Sequence, residues 1–375
     1  MPALPNQKVG TTDTAALGRA AYFDNAKLLA VVLVVCGHFW EPLIGQPEQR
    51  PVKALYLLVY AFHMPAFVFI SGYFTRTYTA QPRQVRRLTT GVLIPFVLWG
   101  VLLTLFNSFL AGTHPKILPL TPVWVTWFLI ALFLWRLSAP LWQNLRAPVT
   151  TTTAVFLAAG AFSLGAQLSI TRVLQFLPFF VLGLTVSPER LVWLRERAWA
   201  RPAAVVAFVT AGVGAYVIAP DISAVWFYRS AGASELHVSY VHWLVLASAV
   251  YAVGLVLTAA FLVLVPSRRT WFTALGAGTM SAFLLHAFVR QAALHGGLYD
   301  HEFVQSVPGQ AVLTVLSVGL AVVLCTHPVH RIMRPFIEPR LSWLFRSDDV
   351  PRHRADGSRG TNTQPSPDEH TLNRL

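Results

Sequence analysis

Ten stretches of this chain are apolar over lengths that suit about 30 Å of hydrocarbon. They run over 26–44, 52–75, 88–111, 123–143, 149–169, 172–187, 202–219, 239–265, 270–294 and 309–327; the sixth is short and the first carries polar residues. So many greasy segments exclude a water-soluble globule. Composition agrees, because 55% of residues are hydrophobic and 12% charged, where a soluble domain carries about 25% charged. In lipid every backbone N–H and C=O must be satisfied within the protein, which helices achieve segment by segment. The expected fold is therefore all-α, a polytopic membrane bundle of about ten transmembrane helices. No internal repeat is visible, which argues against an inverted-repeat transporter.

Charge orients the bundle. The net charge is +13, but the basic residues are not interleaved with aromatics as on a nucleic-acid surface, so no nucleic-acid partner is expected. They fall between the apolar stretches instead. Loops after the second, fourth, sixth and eighth stretches hold twelve Lys and Arg, and the alternate loops six. The positive-inside bias then puts both termini in the cytoplasm, with an even number of spans. Residues 1–20 read as a flexible cytoplasmic N-terminus without a signal-peptide core, 21–346 as the membrane domain, and 347–375 as a disordered cytoplasmic tail. The location implied is the plasma membrane. Cys36 and Cys325 both lie in apolar runs, so no disulfide framework is expected.

Ionisable residues inside apolar stretches are functional-site candidates by default, since their burial is expensive. Lys27 and His38 on the first stretch are 11 residues apart. That spacing puts them on one helix face, about 16 Å apart along the axis. Lys27 reads either as a snorkelling interfacial anchor or as a functional cation at the rim. His63 on the second stretch lies at a depth close to that of His38, so the two imidazoles suit one cavity. Pro65 is expected to interrupt the helix there, and Gly72 to allow close backbone approach. Ser71-Gly72 reads equally as a small-residue helix contact or as part of the chemistry. His286, counted from Arg269, is placed about 25 Å up its helix, in the outer half. Trp124 is assigned to an outer aromatic belt, and Trp127 stays open.

With these residues in view, the chain resembles the acyltransferase-3 family of integral-membrane O-acyltransferases, nearest the branch that includes fucose 4-O-acetylase-like proteins. The matching pieces are Phe23-Asp24-Asn25-Ala26-Lys27 followed by Gly37-His38, then Phe62-His63-Met64-Pro65 and Phe69-Ile70-Ser71-Gly72-Tyr73-Phe74. Arg86-Arg87 ahead of Ile94-Pro95, Trp127-Phe128-Leu129, Leu177-Pro178-Phe179-Phe180 with Gly183, and Leu284-Leu285-His286 follow in family order, from about residue 21 to 340. Lys27 stands where many members have Arg, which forgoes bidentate phosphate geometry. Phe283 stands where members often have Tyr.

The resemblance implies transfer of an acyl group, acetyl above all, from a cytoplasmic acyl-CoA to a hydroxyl of a sugar, cell-surface glycan or glycoside. Acyl-CoA is then a co-substrate, and no bound cofactor is implied. A neutral imidazole suits deprotonation of a hydroxyl near pH 7. The catalytic candidates are thus His38 as base, His63 as its orienting or oxyanion partner, Lys27, and Ser71 as an alternative acyl carrier. Lys27, Arg76, Arg83, Arg86 and Arg87 are the candidates for the CoA phosphates. The Lys27–His38 gap is comparable to an extended pantetheine arm. Glu41, Tyr73, Trp127 and His286 are the candidate acceptor contacts. A glycolipid transporter or flippase is the rival reading, disfavoured because acids inside the stretches are nearly absent. A metal held by His38, His63 and His286 is disfavoured by the greater height expected of His286 and by the lack of ligand spacing. The bilayer, the acyl donor and the acceptor are the expected partners; the sequence does not tell the oligomeric state.

Overall fold

The computed structural model describes residues 11–45, 49–339 and 341–345, with backbone alone for 11–20 and 342. Regular structure among them is entirely helical. Helix α1 (Thr11–Trp40) is followed by α2 (Arg50–Phe74) and α3 (Pro82–Leu88). A π-helical turn at Thr89–Leu93 carries α3 into α4 (Ile94–Ala111). A 3₁₀ turn at Trp124–Thr126 opens α5 (Trp127–Gln143), after which come α6 (Pro148–Ala159) and α7 (Ile170–Thr185). Then follow α8 (Pro188–Glu196), α9 (Ala200–Ile218), α10 (Val225–Tyr228) and α11 (Tyr240–Leu264). The last are α12 (Thr279–His295), α13 (Glu302–Gln305), α14 (Val307–Leu324) and α15 (His327–Ile337). Proline opens α2, α3, α4, α6, α8, α14 and α15, where its missing N–H loses nothing.

These helices form one compact unit over residues 1–340. A second unit, 341–375, is described over 341–345, where Ser342–Leu344 make a single 3₁₀ turn. The tail expected over 347–375 lies outside the described residues, as does the first half of the N-terminal segment expected over 1–20.

Every one of the ten apolar stretches contains a helix, and among the described residues eight helices are long and apolar enough to cross a membrane. The two that fall short are α6, with 12 residues, and α12, with 17. The stretch 149–169 is helical only in its first half; Leu168 and Ser169 have positive φ, of 51° and 48°, a region costly for residues with side chains. The stretch at 172–187, short by sequence, is long enough in the structure because its helical segment begins at Gln167. The stretch at 270–294 is α-helical only from Thr279, after a 3₁₀ segment over Thr273–Gly278.

Helix α2 is the axis of the bundle: 78% of its span is buried by protein, against 11% for α9. The exposed Val205, Val206, Val209, Val213 and Val217 of α9 form a face suited to lipid. Lipid gives apolar helices little reason to associate, so close packing and internal hydrogen bonds must do it. The crossing of α2 and α7 illustrates the first. A Cβ on Gly72 would lie 2.0 Å from the Phe180 carbonyl oxygen, and one on Gly183 would lie 2.0 Å from that of Phe69. Only glycine fits at either position. Contrary to expectation, α2 passes through Pro65 as one helix, since packed neighbours hold a helix together across a single missing N–H.

Buried Asn25 illustrates the second. Its Nδ2 donates to the carbonyls of Pro266 (2.9 Å) and Arg268 (3.1 Å), and its Oδ1 accepts from Thr270 (3.2 Å) and Thr273 (2.7 Å). Every hydrogen-bonding position of the amide is filled, and α1 is thereby tied to the 266–273 segment.

Candidate active site

His38 lies in the last turn of α1, and the chain then enters a 3₁₀ turn over Glu41–Leu43 that carries Pro42. Proline cannot continue the helical ladder, and the tightened turn brings the Glu41 carboxylate back beside the imidazole. Glu41 Oε2 is 3.5 Å from His38 Nδ1. Arg290 of α12 fixes both residues: its Nη2 reaches Glu41 Oε2 and its Nε donates to the His38 carbonyl, each at 3.4 Å. The same guanidinium lies 4.8 Å over the Trp124 ring, which itself packs 4.5 Å from the imidazole of His38. Trp124 is thus part of the site and not an outer belt. Its backbone stands at φ 44°, a strained conformation for a bulky residue and one that concentrates at functional sites.

Tyr60 approaches from α2, its hydroxyl 3.3 Å from His38 Nδ1. Gly37 makes room for it, since a Cβ there would lie 2.9 Å from the Tyr60 ring. Tyr60 stacks on Tyr56, whose hydroxyl donates to that of Tyr228 at 2.9 Å. Burial raises the Tyr228 phenol above its ordinary pKa, so it stays protonated.

His63 and His286 share one local device. His63 Nδ1–H donates to the Val59 carbonyl at 2.8 Å, and His286 Nδ1–H donates to that of Ala282 at 2.9 Å. A carbonyl only accepts, so both rings carry the proton on Nδ1 and keep a lone pair on Nε2. His286 Nε2 is buried and meets no partner among the described residues. Its ring stacks on His38, with centroids 5.3 Å apart. His286 is therefore level with His38 and not well above it; the segment before it is not one straight α-helix, since a 3₁₀ stretch over Thr273–Gly278 precedes α12.

Val34, His38, Glu41, Tyr60, His63, Met64, Trp124, Trp127, Arg172 and Phe283 are among the walls of one cavity of about 610 Å³. A second cavity is lined by Lys27, Ser71, Phe67, Phe74, Phe128, Arg136 and, again, Phe283. A third is lined by Thr75, Thr77, Tyr78, Gln84 and Arg87, and shares Phe74 and Arg136 with the second. The three thus adjoin in series, and Phe283 is common to the first two. Lys27 and His38, predicted on one face, line different cavities.

The remaining candidates fall as follows. Lys27 pairs with Asp24 at 2.8 Å. Ser71 donates to its own helix, at the Phe67 carbonyl (2.9 Å), while it lines the Lys27 cavity. Tyr73 does not join Glu41, Trp127 and His286. It lies ten residues past His63, about 15 Å along α2, and packs 4.5 Å from Phe23 with Arg76 4.8 Å over its ring. Arg87 lines the third cavity; Arg83 and Arg86 lie on the same short helix, α3.

Four residues escaped sequence reasoning: Tyr60, Arg136, Arg172 and Arg290. Arg136 and Arg290 sit inside the apolar stretches 123–143 and 270–294, and the criterion that singled out His38 applies to them equally. Arg136 Nε and Arg172 Nε are buried and meet no acceptor among the described residues. Among the described residues no group of three or more His, Cys, Asp or Glu is gathered closely enough to hold a metal ion.

The family described as an acyltransferase domain matches residues 20–326. The nodulation protein NolL of Sinorhizobium fredii (strain NBRC 101917 / NGR234) is 27% identical over 215 residues, which is 52% of this chain and 57% of that protein. The match thus spans little more than half the length of the curated relative. No solved structure matches.

Proposed function

Since the chain belongs to the acyltransferase-3 family, matched over residues 20–326, we propose that it is a membrane O-acyltransferase moving an acyl group, acetyl above all, from cytoplasmic acyl-CoA to a hydroxyl of a sugar, glycan or glycoside. The observation that carries the reading is the His38–Glu41 pair, 3.5 Å apart, in a cavity that shares one wall with the Lys27 cavity. We read the former as the acceptor side and the latter, with the third cavity, as the cytoplasmic donor side. The plasma membrane as the location, and a place near the fucose 4-O-acetylase-like branch, belong to the same proposal.

In this mechanism His38 Nδ1–H donates to the Glu41 carboxylate, which leaves the Nε2 lone pair free as base. Nε2 takes the proton of the acceptor hydroxyl as its oxygen attacks the thioester carbonyl carbon. The tetrahedral adduct collapses with cleavage of the C–S bond. The departing CoA thiolate takes the proton back from His38. Tyr60 supplies a neutral hydroxyl beside the imidazole. Ser71, bonded to its own helix, serves better as a wall than as an acyl carrier. On the donor side Lys27, Arg87 and Arg136 are the cations for phosphate and pantetheine oxygens. Arg76, Arg83 and Arg86 supply the surrounding positive field.

The test uses membranes containing the protein, labelled acetyl-CoA and a panel of sugar acceptors. Wild type should move label to a sugar, His38→Ala should not, and Lys27→Ala should raise the acetyl-CoA requirement. Unchanged transfer by His38→Ala would overturn the mechanism.

A further inference from the structure

Arg172 lies in the first turn of α7 and lines the cavity that holds His38. Its guanidinium lies 5.2 Å over the Trp127 ring. Its Nε is buried without a hydrogen-bond partner among the described residues. Among the described residues no ion pair holds it either: Glu41, the one carboxylate among the described wall residues, is engaged by Arg290 at 3.4 Å and by His38 at 3.5 Å. A second buried guanidinium stands behind the wall residue Phe176. Arg229 lies 5.5 Å over that ring and donates to the Val250 carbonyl at 3.0 Å. The cavity therefore carries positive charge beyond what Glu41 balances.

Unpaired charge out of contact with water is expensive unless something pairs with it. A guanidinium whose face is occupied by an indole keeps its N–H edge for a ligand, and that edge matches a carboxylate or phosphate. A neutral sugar offers no counter-charge.

We propose that Arg172 is a specificity-determining residue, and that the acceptor is an anionic glycoside, bearing a carboxylate or phosphate that pairs with it while the acylated hydroxyl faces His38. The assignment of the cavity to the acceptor rests on the acyltransfer reading. The rival role for Arg172, stabilising the oxyanion of the adduct, would act on every acceptor alike.

The test reads binding with no acyl donor present, so it stands or falls apart from the acyltransfer assay. The full chain in nanodiscs is titrated with methyl glucoside, methyl glucuronide and glucose 6-phosphate, followed by saturation-transfer NMR. Wild type should bind one of the two charged probes about tenfold more tightly than the glucoside, and the probe that does so tells carboxylate from phosphate. Arg172→Gln should bring that ratio to about one, and Arg172→Lys should keep part of it. Should Arg172→Gln fail to fold, the wild-type ratio and its reduction in Arg172→Lys decide. Equal binding of all three probes, binding of none, or a preference that survives Arg172→Gln overturns the proposal.

Discussion

The imidazoles of His38 and His286 are stacked, their centroids 5.3 Å apart and their planes 23° apart, although they come from the first and the twelfth helix. His286 is locked by its Nδ1–H bond to Ala282 and turns a bare Nε2 into buried surroundings. His38 is held from the other side, by Glu41, Tyr60 and the ring of Trp124. The proposed base is thereby fixed in place before any substrate binds, which is the condition for efficient proton transfer.

Glu41 is the residue whose charge orients that base. Glu41→Gln keeps the shape and removes the charge that both His38 and Arg290 use. The expected result is a fall in kcat of about a hundredfold with little change in KM, read in acetyl-transfer kinetics. An unchanged kcat would show that Glu41 does not act through His38.

Arg136 lines both of the cavities proposed for the donor. Arg136→Gln should raise KM for acetyl-CoA about tenfold, equivalent to about 1.4 kcal/mol, and leave kcat nearly unchanged. Titration of acetyl-CoA at saturating acceptor measures it. A loss confined to kcat would place the guanidinium at the reacting atoms instead.

Phe283 lines both the His38 cavity and the Lys27 cavity, the proposed acceptor and donor sides. Its truncation should let water reach the thioester, so that CoA release without acceptor rises relative to transfer. Phe283→Ala also carries a core penalty of about 3–5 kcal/mol, so Phe283→Leu is measured beside it. A ratio of hydrolysis to transfer that stays at the wild-type value in both variants counts against the wall.

Asn25 ties α1 to the 266–273 segment through four hydrogen bonds. Asn25→Leu removes the partner of the Pro266 and Arg268 carbonyls and of the buried Thr273 hydroxyl, and the expected loss is about 3 kcal/mol. Thermal unfolding in detergent, compared with wild type, reports it. No shift in midpoint would mean that water replaces the amide.

Much of this was legible in the sequence. The apolar stretches located the helices because hydrocarbon thickness sets their length. The His63 depth count succeeded because α2 is one regular helix. Gly72 announced a close crossing, and its partner Gly183 supplies the other half. Other features depended on departures from regular helix. The height of His286 was overestimated because residues 270–286 are not one straight α-helix: a 3₁₀ stretch over Thr273–Gly278 precedes α12. Glu41 reads as an acceptor contact until the Pro42 turn brings it back to His38. Trp124 reads as a belt residue until its left-handed backbone turns it inward. The isolated guanidiniums of Arg136 and Arg172 depend on which helices face them, and no local pattern encodes that.

Phe283 has a consequence for the membrane as an insulator. If solvated cavities approach it from opposite faces, most of the transmembrane voltage falls across the thickness of this one aromatic partition. A unit charge moved across it is worth about 2.3 kcal/mol per 100 mV. Any charge carried past Phe283 during transfer would move through that narrow drop, so the rate of transfer would depend on how strongly the cell is polarised.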